Sequence, residues 1–450
     1  MTAARRFPHP FVLLLSCIAI AAMLTWVVPA GEFERRDDPA TGRAVVVAGT
    51  YKAVPATPVG IVEALSAVPR GIIQAASVIA LVFLSGAGFT VVERTGALRA
   101  AIDALVRRFQ GRGLLVIPAV ALVFAAAGAL LQMSEELVAF APLLLMLCAA
   151  LGMPPLMAVA MSFGVATVAA AFSPVDPFMV TIAQKVAEVP VGSGWRFRTV
   201  FLAIGVGYWL WALRRLAMAN GSALAAAHDR TGTAPSMSGR NVVVLLVVGL
   251  TFVFFLLGAQ QWGWDFDKMA MLFLAMGLIT GIVGGLGING TADALVAGAR
   301  DMTFSALLIG VARGIFVVLE QGHIVDTLVH AIATPLAHLP RTAAALGMFA
   351  AHGLIHVPVP STSGHAVLTM PVLAPVSDLI GLSRQVAVLA YQFGAGMADV
   401  FIPTSGPLLA MLAATGVGYD EWLRWVWRPT LVLSGICMVA IAIAVAIGWS

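Results

Sequence analysis

Charge is what this sequence has least of. Only 11% of its 450 residues are Asp, Glu, Lys or Arg, against about 25% in ordinary soluble domains. So few charged groups cannot clothe a water-soluble surface, which sets aside a soluble enzyme, a nucleic-acid binder and a disordered scaffold. Cysteine is equally sparse. Cys17, Cys148 and Cys437 all sit inside apolar runs, with neither disulfide-like nor metal-like spacing. No H-E-x-x-H motif accompanies the histidines. What the chain has instead is 60% hydrophobic residues, gathered into long uninterrupted blocks of the kind that span bilayers. The net charge of +4 calls for no nucleic-acid partner, because basic cytoplasmic loops of a membrane protein give the same imbalance.

The first block, residues 11–28, runs 18 residues without a charge, nearly enough at about 1.5 Å per residue to cross a ~30 Å core. Arg5 and Arg6 precede it and Val28-Pro29-Ala30 loosely resembles a cleavage site. The block is nevertheless long for a signal-peptide core of about 7–15 residues, and it reads as a retained span. Further blocks cover 72–92, 114–131, 137–150, 154–172, 199–213, 241–259, 269–288, 305–319, 342–357, 366–377, 383–401 and 429–447. Two pairs of short blocks flank polar tips and read as re-entrant hairpins, 114–150 and 341–377, which are tolerated where the tip lines a cavity. Nine crossings remain. The loops then assigned to the cytoplasm carry 14 Arg and no Lys against seven acids; the opposite face has ten basic residues against eleven acids. The positive-inside rule therefore places the N-terminus in the cytoplasm and the C-terminus in the periplasm. Most of the ten Trp fall near span ends, as an interfacial belt would place them.

The two halves are related at a nearly constant offset. Adding 229 carries Ser134 to Ser363, Pro142 to Pro371, Gly152 to Gly381, Phe172 to Phe401 and Pro174 to Pro403. A polar linker and one extra span separate the halves, so the second is inverted relative to the first. The expected organisation is a first repeat at 1–218 with a broken helix at 154–188, a linker and extra span at 219–267, and a second repeat at 268–450 with a broken helix at 383–418. Inverted repeats with interrupted helices are the architecture of secondary transporters, with binding near the midplane.

The repeat generates four irregular polar places. The hairpin tips carry Ser134, Glu135 and Glu136 in one half and Ser361, Thr362, Ser363, Gly364 and His365 in the other. The breaks carry Ser173, Pro174, Asp176 and Pro177, and Pro403, Thr404 and Ser405. Proline frees a backbone carbonyl; unwound carbonyls beside hydroxyls suit Na⁺, and the half-helix N-terminus beyond a break favours an anionic group. Glu135, Glu136, Asp176 and Asp399 fall at membrane depth, where an acid costs about 2.5–3.5 kcal/mol and function is the default reading. Substrate is expected at the two tips and at Asp176, Thr404 and Ser405, and a coupling ion at Ser173, Asp176, Gln392, Asp399 and Thr404. Arg313 and Lys185 read as the basic side chains at that depth; Arg313 either binds a carboxylate or pairs with a nearby acid. His352 and His356 lie four apart near His365, as packed histidines or a proton relay.

At Pro8-His9-Pro10-Phe11, Ser134-Glu135-Glu136, Ile182-Ala183-Gln184-Lys185, Ser363-Gly364-His365-Ala366-Val367-Leu368-Thr369-Met370-Pro371 and Phe401-Ile402-Pro403-Thr404-Ser405-Gly406, the chain resembles the YfcC-type family. That family is grouped with anaerobic C4-dicarboxylate carriers and often labelled as basic amino-acid antiporters, within the ion transporter superfamily. The resemblance covers about residues 8–447. It implies a homodimer, an elevator-like motion of a transport domain against a scaffold, and substrate held at the tips and breaks. Two places depart from the family pattern. The first break reads Ser173-Pro174-Val175-Asp176-Pro177-Phe178 where Asn-Pro-Phe is frequent, and Gly394-Ala395-Gly396 stands where Gly-Asp-Gly is frequent.

The sequence thus reads as an all-α polytopic protein of the bacterial inner membrane: a secondary transporter for a small charged organic metabolite, an amino acid foremost. It calls for no cofactor and no metal, with Na⁺ or H⁺ as the coupling ion and lipid as its surroundings. A Na⁺- or H⁺-coupled C4-dicarboxylate transporter is the alternative, and an intramembrane enzyme built on Ser363 and His365 the remote one.

Overall fold

A computed structural model of the chain describes every residue except 1–8, 40–42, 109–114, 220–237, 261, 263 and 450. Arg5, Arg6, Arg112 and Arg230, and most of the linker expected at 219–239, lie outside the described residues. The fold is mostly helical. Helix α1 (Pro10–Val27) opens on a proline, at the one end where a missing N–H costs nothing. The all-α expectation needs one correction directly after it. Four short strands, β1 (Gly31–Glu32), β2 (Arg35–Asp38), β3 (Arg43–Val46) and β4 (Lys52–Ala53), form two antiparallel ribbons, β1 with β4 and β2 with β3. Their residues are mostly polar or exposed, with Val45 and Val46 turned inward. Period-2 patterning over so few residues was too short to register against the helical blocks.

The first half continues through α2 (Ile61–Gln74), α3 (Ala76–Arg94), α4 (Ala97–Arg108) and α5 (Val116–Leu131). After a 3₁₀ turn at Glu135–Phe140 come α6 (Ala141–Ala150), α7 (Pro155–Ala171, with a π turn at Ala160–Gly164), α8 (Val180–Val186) and α9 (Trp195–Ala219). Helix α10 (Gly239–Gln260) joins the halves. The second half runs α11 (Phe266–Val283), α12 (Gly287–Asp301), α13 (Thr303–Gln321), α14 (Val325–Leu336), α15 (Arg341–His356), α16 (Thr362–Leu379), α17 (Arg384–Asp399), α18 (Gly406–Thr415) and α19 (Tyr419–Ala446). Among the described residues, six helices (α1, α3, α9, α11, α13 and α19) are long and apolar enough to cross a membrane. The other three expected crossings fall on α7, α10 and α17. Helix α17 has 16 residues, so at about 1.5 Å each it reaches about 24 Å and stops inside a ~30 Å core.

The block expected at 72–92 as one span is jointed at Ala75, with amphipathic α2 leading into apolar α3; α12 leads into α13 through Met302 in the same way. Packing exchanges these units between halves. Helix α13 lies along α2, and α3 lies along α12 and α11. Inside, the first arm of each expected hairpin packs on the broken helix of its own half, α5 on α7 and α15 on α17, more than on its second arm.

Helix α17 is buried from Gln385 to Ala398, and its small residues are why it fits. A Cβ on Gly394 would stand 2.3 Å from the Phe349 carbonyl oxygen of α15, and one on Gly396 2.5 Å from Ala171 Cβ of α7. Two tryptophans depart from the belt. Trp209 and Trp422 are fully buried. Trp209 Nε1 donates to Ala160 O at the π turn and Trp422 Nε1 to Val400 O at the second break, both at 2.9 Å. They satisfy carbonyls where the helical ladder is irregular. Trp422→Phe is expected to lower stability by about 1–3 kcal/mol by stranding that carbonyl. Thermal unfolding of the detergent-solubilised protein reads it, with half-exposed Trp427→Phe as the control; equal melting of the two would give Val400 O another partner.

Candidate functional site

Local backbone chemistry builds each tip. Gln132 stops α5 by taking φ +52°, a conformation uncommon for a side-chain-bearing residue. Its Nε2 then donates to Thr362 Oγ1 at 2.5 Å, and Tyr391 Oη donates to Thr362 O at 2.6 Å. The tips of the two halves are thereby joined through Thr362. Ser134 N donates to Glu136 Oε2 at 3.1 Å, holding the acidic pair at the start of its 3₁₀ turn.

The first break lies against the middle of α17. Gln392 Nε2 donates to Ser173 O at 2.7 Å, and the rings of Phe172 and Phe393 are 4.9 Å apart. In front of the tips and breaks is a cavity of about 720 Å³. All four irregular places reach it: Ser134, Glu135 and Glu136; Ser361, Thr362 and Ser363; Val175, Pro177 and Phe178; and Asp399, Thr404 and Ser405. Gln74 at the α2–α3 joint, Gln132, Thr167 on α7 and Arg313 on α13 complete its polar lining. A second cavity of about 510 Å³ adjoins it, sharing Arg313, Phe316 and Ser361, and is walled by the β-ribbons and α14. There Phe33 N and Arg35 Nη2 both bind the Asp326 carboxylate at 2.9 Å.

Several expected site residues stand elsewhere. Gly364 lines the smaller cavity, and Ser173, Asp176, His365 and Gln392 line neither. Ser173 Oγ donates to Ala129 O at 2.5 Å. Asp176 Oδ1 accepts from Phe178 N and Met179 N at 2.8 and 2.7 Å, so it caps the turn into α8, while its buried Oδ2 has no hydrogen-bond partner among the described residues. Gln392 bridges Ser173 and Arg198. For Ser173, Asp176 and Gln392, bonds already made compete with a ligand for the same side chains.

The basic residues also need correction. Lys185 is exposed at the end of α8 and lines neither cavity. Arg313 pairs with no acid among the described residues: its Nε donates to the Gln74 amide oxygen at 3.0 Å, and its guanidinium lies 4.8 Å from the Phe316 ring centre. The missed cation is Arg198, fully buried. It donates to Gln392 Oε1 at 2.9 Å, Gln385 Oε1 at 3.2 Å and Ser193 O at 3.0 Å, tying α9 to α17. Beside Trp195 and Arg196 it had the look of an interfacial residue.

The histidines form a chain. His352 Nδ1 is 3.0 Å from His365 Nε2, His365 Nδ1 is 3.0 Å from His356 Nδ1, and His356 Nε2 is 3.1 Å from Asp399 Oδ1. All three rings are fully buried. Their nitrogens meet one another rather than a common point, and among the described residues no group of three His, Cys, Asp or Glu is arranged to hold a metal ion. Both nitrogens of His365 are taken, so neither is left to act as a base for Ser363.

Residues 7–447 match the family described as the C4-dicarboxylate anaerobic carrier, DcuC. The chain is 33% identical to the "Putative basic amino acid antiporter YfcC" of Escherichia coli (strain K12), over 77% of this chain and 73% of that one. It is 28% identical to an uncharacterized protein of Haemophilus influenzae, over 93% of each. Among solved structures it is similar to MtrF of Neisseria gonorrhoeae, described with a class of antimetabolite efflux pumps, at 15% identity and a TM-score of 0.47, covering 98% of this chain and 96% of that one. With a match across nearly its whole length, the chain belongs to the C4-dicarboxylate anaerobic carrier family of membrane transporters.

Proposed function

We propose that the chain is a secondary transporter of the inner membrane whose substrate is a small amino acid, a basic one foremost, moved by cation coupling or exchange. The observation that carries this reading is the sign of the cavity: Glu135, Glu136 and Asp399 share its lining with Arg313. An amino acid presents one carboxylate and at least one ammonium, and this wall offers a guanidinium for the first and carboxylates for the second. Charge-assisted hydrogen bonds are roughly twice as strong as neutral ones. The hydroxyls of Ser134, Ser361, Thr362, Ser363, Thr404 and Ser405 supply orientation, and Thr404 and Asp399 line the same cavity for a coupling cation.

The experiment is uptake by purified protein in liposomes, with labelled arginine, ornithine and succinate under imposed Na⁺ and pH gradients. Arginine or ornithine is expected to move, and Glu135→Gln to weaken its uptake by roughly tenfold, the effect of one hydrogen bond to a charged group. Uptake of succinate alone, with Glu135→Gln unimpaired, would overturn the amino-acid reading. One observation favours the second reading, a C4-dicarboxylate. Arg313 and the first residues of α16 and α18 face the same cavity, and helix N-termini attract anions.

The two halves are proposed as inverted repeats, 1–218 and 268–450, joined by 219–267, with re-entrant tips and a transport domain sliding on a scaffold of a homodimer. The exchanged packing of α2 with α13 and of α12 with α3 supports a two-fold relation. The Arg-rich loops support a cytoplasmic N-terminus.

A further inference from the structure

We propose that Asp399, His356, His365 and His352 form a proton wire, so that H⁺ rather than Na⁺ is the ion coupled at this site; this rests on the transporter reading above. Turning the Asp399 carboxylate onto His356 Nε2, 3.1 Å away, completes a chain with two states, each with three neutral imidazoles. In the first, Asp399 is ionised and accepts from His356 Nε2–H, His365 Nδ1–H donates to His356 Nδ1, and His352 Nδ1–H donates to His365 Nε2. In the second, every donor is reversed: Asp399 carries the proton and donates to His356 Nε2, His356 Nδ1–H donates to His365 Nδ1, His365 Nε2–H donates to His352 Nδ1, and His352 Nε2 bears a proton. The states differ by one proton. One proton taken up at His352 Nε2 drives three hops, breaking three N–H bonds and forming two N–H bonds and the carboxyl O–H, with no imidazolium left behind.

A second observation marks the far end. Two ring nitrogens are buried without a hydrogen-bond partner among the described residues: His352 Nε2 at the far end, and His356 Nε2, which stands 3.1 Å from Asp399 Oδ1; Asp399 itself lines the large cavity. The wire therefore joins the cavity to a buried atom one turn back along the same face of α15. The groups facing it are few. Tyr391 on α17 turns its ring edge to His352 and His365, with centres 5.2 and 5.3 Å away. Glu135, Glu136 and Arg313 share the cavity with Asp399. On α19, Tyr419 donates to Phe401 O and Cys437 is buried; on α14, Asp326 is engaged by Arg35. A charge on Asp399 that comes and goes alters the cavity's hold on an ammonium, which is the linkage a coupled transporter needs.

The test uses purified full-length protein in liposomes with labelled arginine, and succinate as a second probe. For one-proton coupling, a gradient of about one pH unit is expected to concentrate or deplete the wild-type substrate about tenfold. His352→Gln is expected to abolish that pH-driven accumulation while retaining counterflow at equal pH. Accumulation equal to wild type in His352→Gln, or drive by a Na⁺ gradient alone, would overturn the wire. If the wild type moves neither probe, the transporter reading fails on its own and the wire is judged separately. ¹⁵N-histidine NMR of the detergent-solubilised protein then follows the tautomers of the three rings. They are expected to reverse together with pH in the wild type and to stay fixed in Asp399→Asn; three fixed tautomers in the wild type would reject the proposal.

Discussion

Arg313→Ala is expected to raise the substrate concentration for half-maximal transport by roughly 10- to 100-fold, the ~1.5–3 kcal/mol of hydrogen bonds to a charged group. Arg313 is the one basic side chain lining the large cavity among the described residues. Its Nε is held by Gln74 and its plane by Phe316, which leaves the two terminal nitrogens, the fork that fits a carboxylate. Arg313→Lys keeps the charge but loses the fork, so it should fall between alanine and wild type. Initial rates against concentration, for arginine and for succinate, check this. An unchanged half-saturation in Arg313→Ala for the substrate that moves would remove the guanidinium from binding.

Gly394→Val is expected to prevent recovery of folded protein. Even the Cβ of alanine would meet the Phe349 carbonyl oxygen at 2.3 Å, His352 Cβ at 2.8 Å and Gly353 N at 3.1 Å. None of these is the free end of a flexible side chain, so α15 itself must move. Overpacking costs about 1–3 kcal/mol for alanine-sized intrusions, and valine adds two more methyl carbons in the same gap. Against a total of about 5–15 kcal/mol, that is a large share. Thermal unfolding of Gly394→Ala and the monodisperse yield of Gly394→Val provide the measurement. Gly435→Ala on α19, where nothing stands within 4 Å, is the control. Equal melting of the two alanine variants would show that α15 and α17 can separate cheaply.

The places that matter were legible because proline, hydroxyls and acids interrupting apolar helix are costly and rare. Ser134, Ser363, Pro174 and Pro403 marked them, and the breaks and tips do gather around one cavity. Which atoms face that cavity was not legible. Asp176 looked like a ligand, but an aspartate followed by a proline turn caps the next backbone amides just as readily. Gln392 and Ser173 had the right chemistry, yet each bonds to a partner far along the chain. Arg198 and the meeting of His352, His356 and His365 depend on how closely α15, α16 and α17 approach. That approach is set by Gly394 and is invisible in periodicity. The short ribbons between α1 and α2 had too few residues to be seen against the long blocks around them.

The exchange of partners between halves has a consequence for how the chain is made. Helix α2 presents Ala64, Ala67 and Gly71 to α13, with Gly71 against Gly310 and Gly314. Some 240 residues of synthesis separate the two elements, or about 10–50 s at ribosomal rates of about 5–20 residues per second. Through that interval the inward face of α2 has no protein partner. The first half is therefore completed with that face of α2 uncovered, and α11 and α12 can reach α3 before α13 closes over α2.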